Sequence, residues 1–282
     1  MKETFGQKTR RSHKRNQRVV MFWCAFVFAF VIAGVWLFRG TLFQNDSGAS
    51  SSGTNQSRHD ACGTADSRQK STDVTQAPMD HEVCQKLQDL VSQDQRVQQV
   101  IDNCEIYPED ILKMLSRNLD MLNFVLEYPE KVGQVFAETV GEVEGGEVPL
   151  LLQYDQRWGY GDYGNSSVAV SGCGPACLSM VITSLTGDDT ITPYVVAQYA
   201  SEQGYYVPGA AWTLMSEGAK HFGVIGEELP LTKSIMEGVL KEGRPIICSM
   251  RPGDFTTTGH FIVITGIKDG QFTVNDPNST ER

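Results

Sequence analysis

A cysteine before a predicted helix is the first candidate for chemistry in this sequence. Cys173 lies in Ser-Gly-Cys-Gly-Pro at 171–175, and the apolar residues after it recur at helical spacing, which predicts a helix over 175–185. The unpaired N–H groups and dipole of a helix start favour the thiolate, which is the nucleophilic form of cysteine. Gly172 and Gly174 would leave room for a substrate beside it. A structural cysteine before an ordinary buried helix is the alternative interpretation.

A nucleophilic thiolate also needs a base and a group that orients the base. The C-terminal half of the chain contains two histidines, His221 and His260. We interpret His221 as a helix-end residue, where a cation is favourable. His260 opens an apolar strand, so it is the candidate base. Asp276 on the next strand is the candidate orienting group, because Pro277 ends the ladder there.

The turn between these two strands decides whether Asp276 can reach His260. With a two-residue turn at 269–270, Asp276 would lie opposite Val263, on the face away from His260. With a three-residue loop at 268–270 and a bulge, Asp276 would lie opposite Ile262, on the same face as His260 and diagonal to it. We therefore expect the three-residue loop.

The elements around these residues indicate an α+β domain over 147–282. A short strand is expected at 148–153, before the helices, and an antiparallel sheet at the end of the chain. Besides 175–185, the predicted helices cover about 192–202, 211–221 and 232–242, and the last strands cover 245–250, 260–267 and 271–276.

The segment before this domain is predicted to be a small all-helical module over 80–141. Apolar residues recur at helical spacing in it, and a final short helix is expected at 130–140. It contains no cluster of catalytic residue types, so we assign it no chemistry. A glycine- and glutamate-rich hinge at 141–146 separates it from the α+β domain.

The N-terminal part of the chain has the features of a membrane anchor. Residues 19–38 form an uncharged run that is long enough to span the hydrocarbon layer as a helix. Residues 1–18 carry seven Lys or Arg and one Glu, which predicts a basic cytoplasmic tail and an extracellular body, with a single pass through the cell membrane. Polar residues at 39–79 predict a disordered linker. A cleaved signal peptide is the competing interpretation, although its apolar core would usually be shorter.

Charge and cysteine content limit the partners. The formal net charge is −10 despite the basic tail, and such an acidic body argues against nucleic acid as a partner. Seven cysteines occur in the chain, of which Cys84 and Cys104 are the best candidates for a disulfide. The sequence contains no Cys-x-x-Cys pair and no pair of histidines at the spacing of a zinc site. We therefore expect no cofactor.

Four motifs of the C-terminal half resemble those of bacterial C39-like cysteine peptidases, which are papain-like and related to the peptidase domains of bacteriocin exporters. They are Leu-Leu-Gln-Tyr-Asp-Gln-Arg-Trp-Gly at 151–159, Gly-Cys-Gly-Pro at 172–175, Gly-His-Phe at 259–261 and Val-Asn-Asp-Pro at 274–277. The resemblance implies a papain-like fold preceded by the helical module, with Cys173, His260 and Asp276 as a catalytic triad. The chain ends six residues after Asp276, earlier than papain-like sheets usually end, which is consistent with a truncated product.

One motif departs from the exporter type. Exporter peptidases place a glutamine six residues before the cysteine, where its amide helps to bind the oxyanion, but this chain has Ser167 there. Gln153, inside the matching 151–159 motif, is the best replacement. The alternative is that Gln153 only bonds to the backbone at a strand end.

The expected function is that of an extracellular, membrane-anchored thiol hydrolase that cleaves peptide or cell-wall amide bonds. Its partners would be a peptide or protein substrate and the membrane, through residues 19–38. A catalytically silent papain-like module that binds a surface ligand is the alternative. A third interpretation is a tethered structural protein that acts through the helical module.

Overall fold

The computed structural model describes residues 18–22 and 80–281. Residues 80–281 belong to one compact unit. Their helices and a mixed sheet whose last three strands are antiparallel are consistent with the α+β class. The α-helices are α1 (His81–Val91), α2 (Val97–Asp102), α3 (Glu109–Leu115), α4 (Leu122–Lys131), α5 (Val168–Ser171), α6 (Cys173–Thr186), α7 (Pro193–Glu202), α8 (Trp212–Ser216) and α9 (Lys233–Lys241). The strands are β1 (Arg18–Phe22), β2 (Asp162–Tyr163), β3 (Ser166–Ser167), β4 (Ile225–Leu229), β5 (Ile246–Met250), β6 (His260–Lys268) and β7 (Gln271–Asn275). Short 3-10 helices cover Cys104–Ile106, Leu119–Met121 and Gly218–Phe222.

The first four helices pack around an apolar core that also includes residues of the C-terminal half. Phe124 of α4 stacks on Tyr160, with ring centroids 4.4 Å apart and planes 12° apart. Tyr154, Tyr160 and Ala169 belong to the same buried cluster as the apolar faces of α1–α4. The helical segment is therefore held against the α+β part by buried aromatic and aliphatic contacts rather than by a surface patch.

Helix α6 runs through the centre of the α+β part. Every residue from Gly174 to Leu185 is buried, as expected for a helix that is surrounded by other elements on all sides. It ends at Gly187, whose φ of 75° is the left-handed conformation that commonly terminates a helix. Helix α6 packs against α7 on one side and against β6 on the other, so residues at its start lie close to the first residues of β6.

The main sheet has five strands in the order β4-β1-β5-β6-β7. β1 is parallel to both of its neighbours, whereas β5, β6 and β7 are antiparallel. The positions of the helices after Cys173 and of the last three strands agree with the predictions within a few residues. The sequence analysis did not anticipate β4, β1 or the two-stranded ribbon of β2 and β3.

Strand β1 corrects part of the membrane prediction. Residues 19–22 form a strand instead of the start of a membrane helix, because their backbone pairs with β4 and β5 and β-branched and aromatic residues favour strands. The remainder of the predicted span, 23–38, lies outside the described residues, as do 1–17 and the predicted linker 39–79. In the part of the chain that the structure describes, no helix combines the length and the apolar character needed to cross a membrane.

Three local predictions are also wrong. Residues 148–153 form no strand but an extended segment and a turn, and residues 132–140 are not helical. Pro129 does not break α4. It lies inside the helix, two residues before the last helical residue, where the loss of one backbone hydrogen bond is tolerated. Cys84 and Cys104 are free thiols, so no disulfide joins α1 to the segment after α2.

Candidate active site

Cys173 is the first residue of α6, as the sequence suggests. Short helix α5 leads directly into it through Gly172, whose N–H donates to the Val168 carbonyl at 2.8 Å. Pro175 is the third residue of the helix, where its missing N–H costs no intrahelical hydrogen bond. The backbone N–H groups of this first turn therefore converge around the Cys173 side chain.

The two glycines beside Cys173 are required by the protein itself rather than by a substrate. A Cβ at Gly174 would lie 2.5 Å from the Cβ of Ala210, and a Cβ at Gly172 would lie 2.3 Å from the Val168 carbonyl oxygen. Both distances are far below van der Waals contact. The glycines allow the helix start to pack closely, which corrects the expectation that they leave space for a ligand.

His260 lies between Asp276 and Cys173. Its Nε2 is 2.7 Å from Asp276 Oδ1, and both side chains are buried. The same carboxylate oxygen accepts a 2.8 Å hydrogen bond from the backbone N–H of Asn278, which fixes its orientation. Cys173 lies close enough to His260 to contribute to the raised pKa of its ring. Because Nε2 faces the carboxylate, the other ring nitrogen is the one available to the sulfur.

The charge state of His260 is set by competing effects. Burial lowers the pKa of its imidazole, but the hydrogen bonds with Asp276 and with Cys173, together with the charges of those two groups, outweigh it and raise the pKa to about 9. The protonated ring is thus the favoured form at neutral pH. An imidazolium beside a cysteine sulfur stabilises the thiolate, which is the arrangement that activates cysteine nucleophiles.

The strand register that brings Asp276 to His260 differs from the predicted one. Lys268 pairs with Gln271, so the turn contains only Asp269 and Gly270, with φ of 53° and 75°. The expected three-residue loop is wrong, since an Asp-Gly pair suits a two-residue turn of this handedness. The extra residue lies inside the strand instead: Ile264 pairs with Val274 and Gly266 with Thr273, which leaves Thr265 as a bulge.

The bulge has the same effect as the predicted loop. Val263 pairs with Asn275, so the next pair in this register sets Ile262 opposite Asp276. Asp276 thus follows β7 on the face of the hairpin that carries His260. The expected contact between Asp276 and His260 is present, but it results from the bulge and not from the predicted three-residue loop.

Gln153 lies at the edge of the same cleft as Cys173 and His260. Its Nε2 donates to the Ala169 carbonyl at 2.5 Å, and its backbone N–H donates to the Pro277 carbonyl at 2.8 Å. An amide nitrogen has two hydrogens, so one N–H remains for a ligand. Among the described residues, its buried Oε1 has no hydrogen-bond partner. Ser167, at the position of the exporter glutamine, is buried at the start of α5 and does not line the cleft.

The cleft has a volume of about 580 Å³, and the helical segment forms part of its wall. Gln93, Met114, Arg117, Asn118, Leu119 and Asp120 line it together with Cys173, His260 and the loop that precedes β6. These residues precede the four motifs of the family resemblance, so the motifs did not indicate them. The only local signal was the polar pair Arg117-Asn118, which interrupts the apolar pattern between α3 and α4.

The remaining candidates lie outside the cleft. Cys177, one turn after Cys173, is fully buried, and burial raises the pKa of its thiol well above the usual value, so it stays neutral. His221 stacks on Tyr199 with ring centroids 4.2 Å apart, at the end of a helix. Within 18–22 and 80–281, no group of three or more His, Cys, Asp or Glu side chains is arranged to hold a metal ion.

The comparisons with known proteins agree with the motifs. No curated protein and no solved structure matches this chain. The model of the Peptidase C39-like family matches residues 146–282, which include Cys173, His260, Asp276 and Gln153. This match supports a C39-like, papain-like peptidase domain over the C-terminal half of the chain.

Proposed function

We propose that this protein is a cysteine peptidase that cleaves peptide bonds with Cys173, His260 and Asp276. The observation that carries the proposal is the position of His260, which is hydrogen-bonded to Asp276 and lines the same cleft as Cys173, close enough for Cys173 to raise the pKa of its ring. A buried histidine held by a carboxylate beside a cysteine at a helix start is the arrangement that acyl transfer by a thiol requires. Cell-wall amide bonds contain the same reacting group and are included in this proposal.

Each residue has a defined step in the reaction. The Cys173 sulfur attacks the amide carbonyl carbon, and the carbonyl oxygen becomes an oxyanion. His260 donates its proton to the leaving nitrogen, the C–N bond breaks and a thioester remains. His260 then takes a proton from water, which attacks the thioester and releases the acid and the thiolate. Asp276 keeps the imidazole in the required orientation and stabilises its charged form.

Two N–H groups are suitable donors to the oxyanion. The first is the backbone N–H of Cys173, which has no intrahelical acceptor because it belongs to the first turn of α6. The second is the remaining N–H of Gln153 Nε2. Donors of this kind are each worth roughly 10²–10³ in rate in acyl-transfer enzymes. Gln153 is therefore proposed as a catalytic residue in place of the exporter-type glutamine.

Activity profiling of the full chain on a peptide library tests the proposal. We expect turnover by the native protein and by Cys84→Ala, which removes a thiol outside the cleft, and none by Cys173→Ala. Equal turnover by the native protein and Cys173→Ala would contradict the proposed mechanism.

A binding module without catalysis is the second candidate. It is favoured by the engagement of Gln153 Nε2 with the Ala169 carbonyl and by serine at position 167, since both weaken the case for a second oxyanion donor. The two candidates differ in the reactivity of Cys173. Alkylation by iodoacetamide at neutral pH should be much faster than for free cysteine in an enzyme, and no faster in a binding module.

We also propose that the protein acts at the outer face of the cell membrane, held there by the uncharged run, whose first residues, 19–22, would have to leave β1 for the whole of 19–38 to span the membrane. The uncharged run and the basic residues before it support this location, whereas the pairing of 18–22 with the sheet argues against it. Carbonate extraction of membranes distinguishes a membrane-anchored protein from one without an anchor. A protein that stays in the membrane pellet supports the anchor, and a protein released to the supernatant contradicts it.

A further inference from the structure

The helical segment is attached to both loops that border the cleft. Arg117 Nη1 donates to Thr257 Oγ1 at 3.0 Å, in the loop before β6. On the other side, Asn118 Nδ2 donates to the Asn278 carbonyl at 2.8 Å, and Thr280 Oγ1 donates to Asp120 Oδ2 at 2.5 Å. The turn between α3 and α4 thus bridges the loop beside His260 and the segment that follows Asp276.

This bridge brings two apolar side chains into the cleft. Met114 precedes the bridging residues and Leu119 lies among them, and both line the cleft that contains Cys173 and His260. Each is only partly buried by the core of the helical segment. Val170, on α5 and three residues before Cys173, adds a third apolar side chain to the same wall.

The charges of the cleft limit what can occupy it. Its lining includes the carboxylates of Asp120, Asp254 and Glu281, but Arg117 is the only Lys or Arg among the described lining residues. An acidic side chain would therefore meet net repulsion, whereas an apolar side chain would gain by covering Met114 and Leu119.

We propose that Met114 and Leu119 form an apolar subsite that selects peptide substrates with a bulky apolar side chain near the cleaved bond. The subsite lies outside residues 146–282, so the helical segment contributes specificity that the peptidase domain lacks by itself. This inference rests on the proposed peptidase function, because it takes the cleft around Cys173 to be the substrate cleft. Arg117 and Asn118 are positioning residues that hold the subsite against the two loops.

Internally quenched octapeptides test the subsite on the full chain. Leucine or glutamate replaces alanine at each position in turn in an all-alanine background. We expect faster cleavage with leucine at one or more positions near the cleaved bond and slower cleavage with glutamate there. In Leu119→Ala, kcat/KM for the leucine peptide should fall about tenfold, the usual effect of losing apolar contact in such a pocket, while kcat/KM for the all-alanine peptide should fall by much less.

Leu126→Ala is the matched control. Leu126 packs partly buried against the same core but does not line the cleft, so its truncation should leave both rates unchanged. Equal losses in Leu119→Ala and Leu126→Ala, or an equal loss for both peptides in Leu119→Ala, would overturn the subsite. Alkylation of Cys173 by iodoacetamide should be the same in all three proteins.

A binding assay keeps the subsite testable if no peptide is cleaved, which would contradict the proposed function alone. Octapeptides labelled with a single fluorophore are titrated with the Cys173→Ala protein, and anisotropy is measured. Tighter binding of the leucine peptide, lost when Leu119→Ala is added, would support the subsite. Equal binding of the leucine and all-alanine peptides, or no binding of either, would overturn it.

Discussion

Asp276 reaches His260 because Thr265 is an extra residue in the strand between them. The two-residue turn at 269–270 alone would direct Asp276 to the opposite face of the hairpin. The bulge at Thr265 shifts the register by one residue and so reverses the face, since side chains alternate along a strand. The 2.7 Å contact between His260 Nε2 and Asp276 Oδ1 therefore depends on Thr265 being left out of the ladder as a bulge.

Deletion of Asn275 should separate the proposed triad. The turn and the bulge stay as they are, but Asp276 then falls opposite Val263, on the face away from His260, and hydrolysis should fall by about 10²–10⁴, the usual contribution of acid–base catalysis. Deletion of Thr265 is the control, because it makes the ladder regular without changing the pairs on either side of the bulge, and it should retain activity. Circular dichroism of both variants checks that the sheet forms. An Asn275 deletion variant that folds and stays fully active would contradict this role of the register.

The pH dependence of activity should have an alkaline limb at about pH 9. His260 donates the proton to the leaving amine, so kcat/KM should fall as the pH rises through the pKa of about 9. In Asp276→Asn this limb should move to lower pH, because the carboxylate that raises the pKa of His260 is lost. Asp269→Asn removes a charge from the turn of the same hairpin, at a φ of 53° that asparagine tolerates, and should leave the limb in place. An unshifted limb in Asp276→Asn would contradict the assignment.

The same titration should appear in the pH dependence of stability. The folded-state pKa of His260 is raised from the ordinary 6.5 to about 9, so the folded protein binds this proton more tightly than the unfolded chain. The stabilising contribution is then fully present below about pH 6.5 and is lost as the pH rises through 9. Urea unfolding at pH 6 and pH 10 should give a larger drop in the free energy of unfolding for the native protein than for His260→Gln. A drop of equal size in both proteins would contradict the raised pKa.

Replacement of Gln153 distinguishes an amide that binds the oxyanion from one that only bonds to the backbone. Gln153→Ala should lower kcat by roughly 10²–10³ with little change in KM if its amide binds the oxyanion. Gln198 is the matched control because its Nε2 also donates to a backbone carbonyl, that of Asp162 at 2.9 Å, but outside the cleft. Gln198→Ala should cost about 1 kcal/mol of stability and no activity. A kcat unchanged in Gln153→Ala would leave Gln153 a purely structural residue.

Close packing at the start of α6 predicts the effect of a single methyl group. Gly174→Ala places a Cβ 2.5 Å from that of Ala210 and should destabilise the protein by about 1–3 kcal/mol. Gly238 lies inside α9 with no atom within 4 Å of an added Cβ. Gly238→Ala should therefore stabilise the protein by about 0.5–1 kcal/mol. Denaturant unfolding measures both, and the opposite order would show that the helix start can relax around the methyl group.

The elements with strong local patterns could be predicted from the sequence. The glycines and proline around Cys173 and the apolar spacing after them determine that a helix begins there, and the α6–α9 and β5–β7 segments follow from their own periodicity. His260 at the start of an apolar strand and Asp276 before a proline are local features as well. These patterns, with the four motifs, were sufficient to select Cys173, His260 and Gln153, which line one cleft, and Asp276, which contacts His260.

Only the tertiary structure decided how those residues meet. The bulge at Thr265 has no local signal, because it depends on the pairing of β6 with β7 and on the packing of β6 against α6. The contribution of Met114 and Leu119 to the cleft depends on Arg117, Asn118 and Asp120, whose partners are 140 or 160 residues further along the chain. Local patterns determine which elements form, whereas contacts between residues so far apart in sequence arise only when these elements pack together.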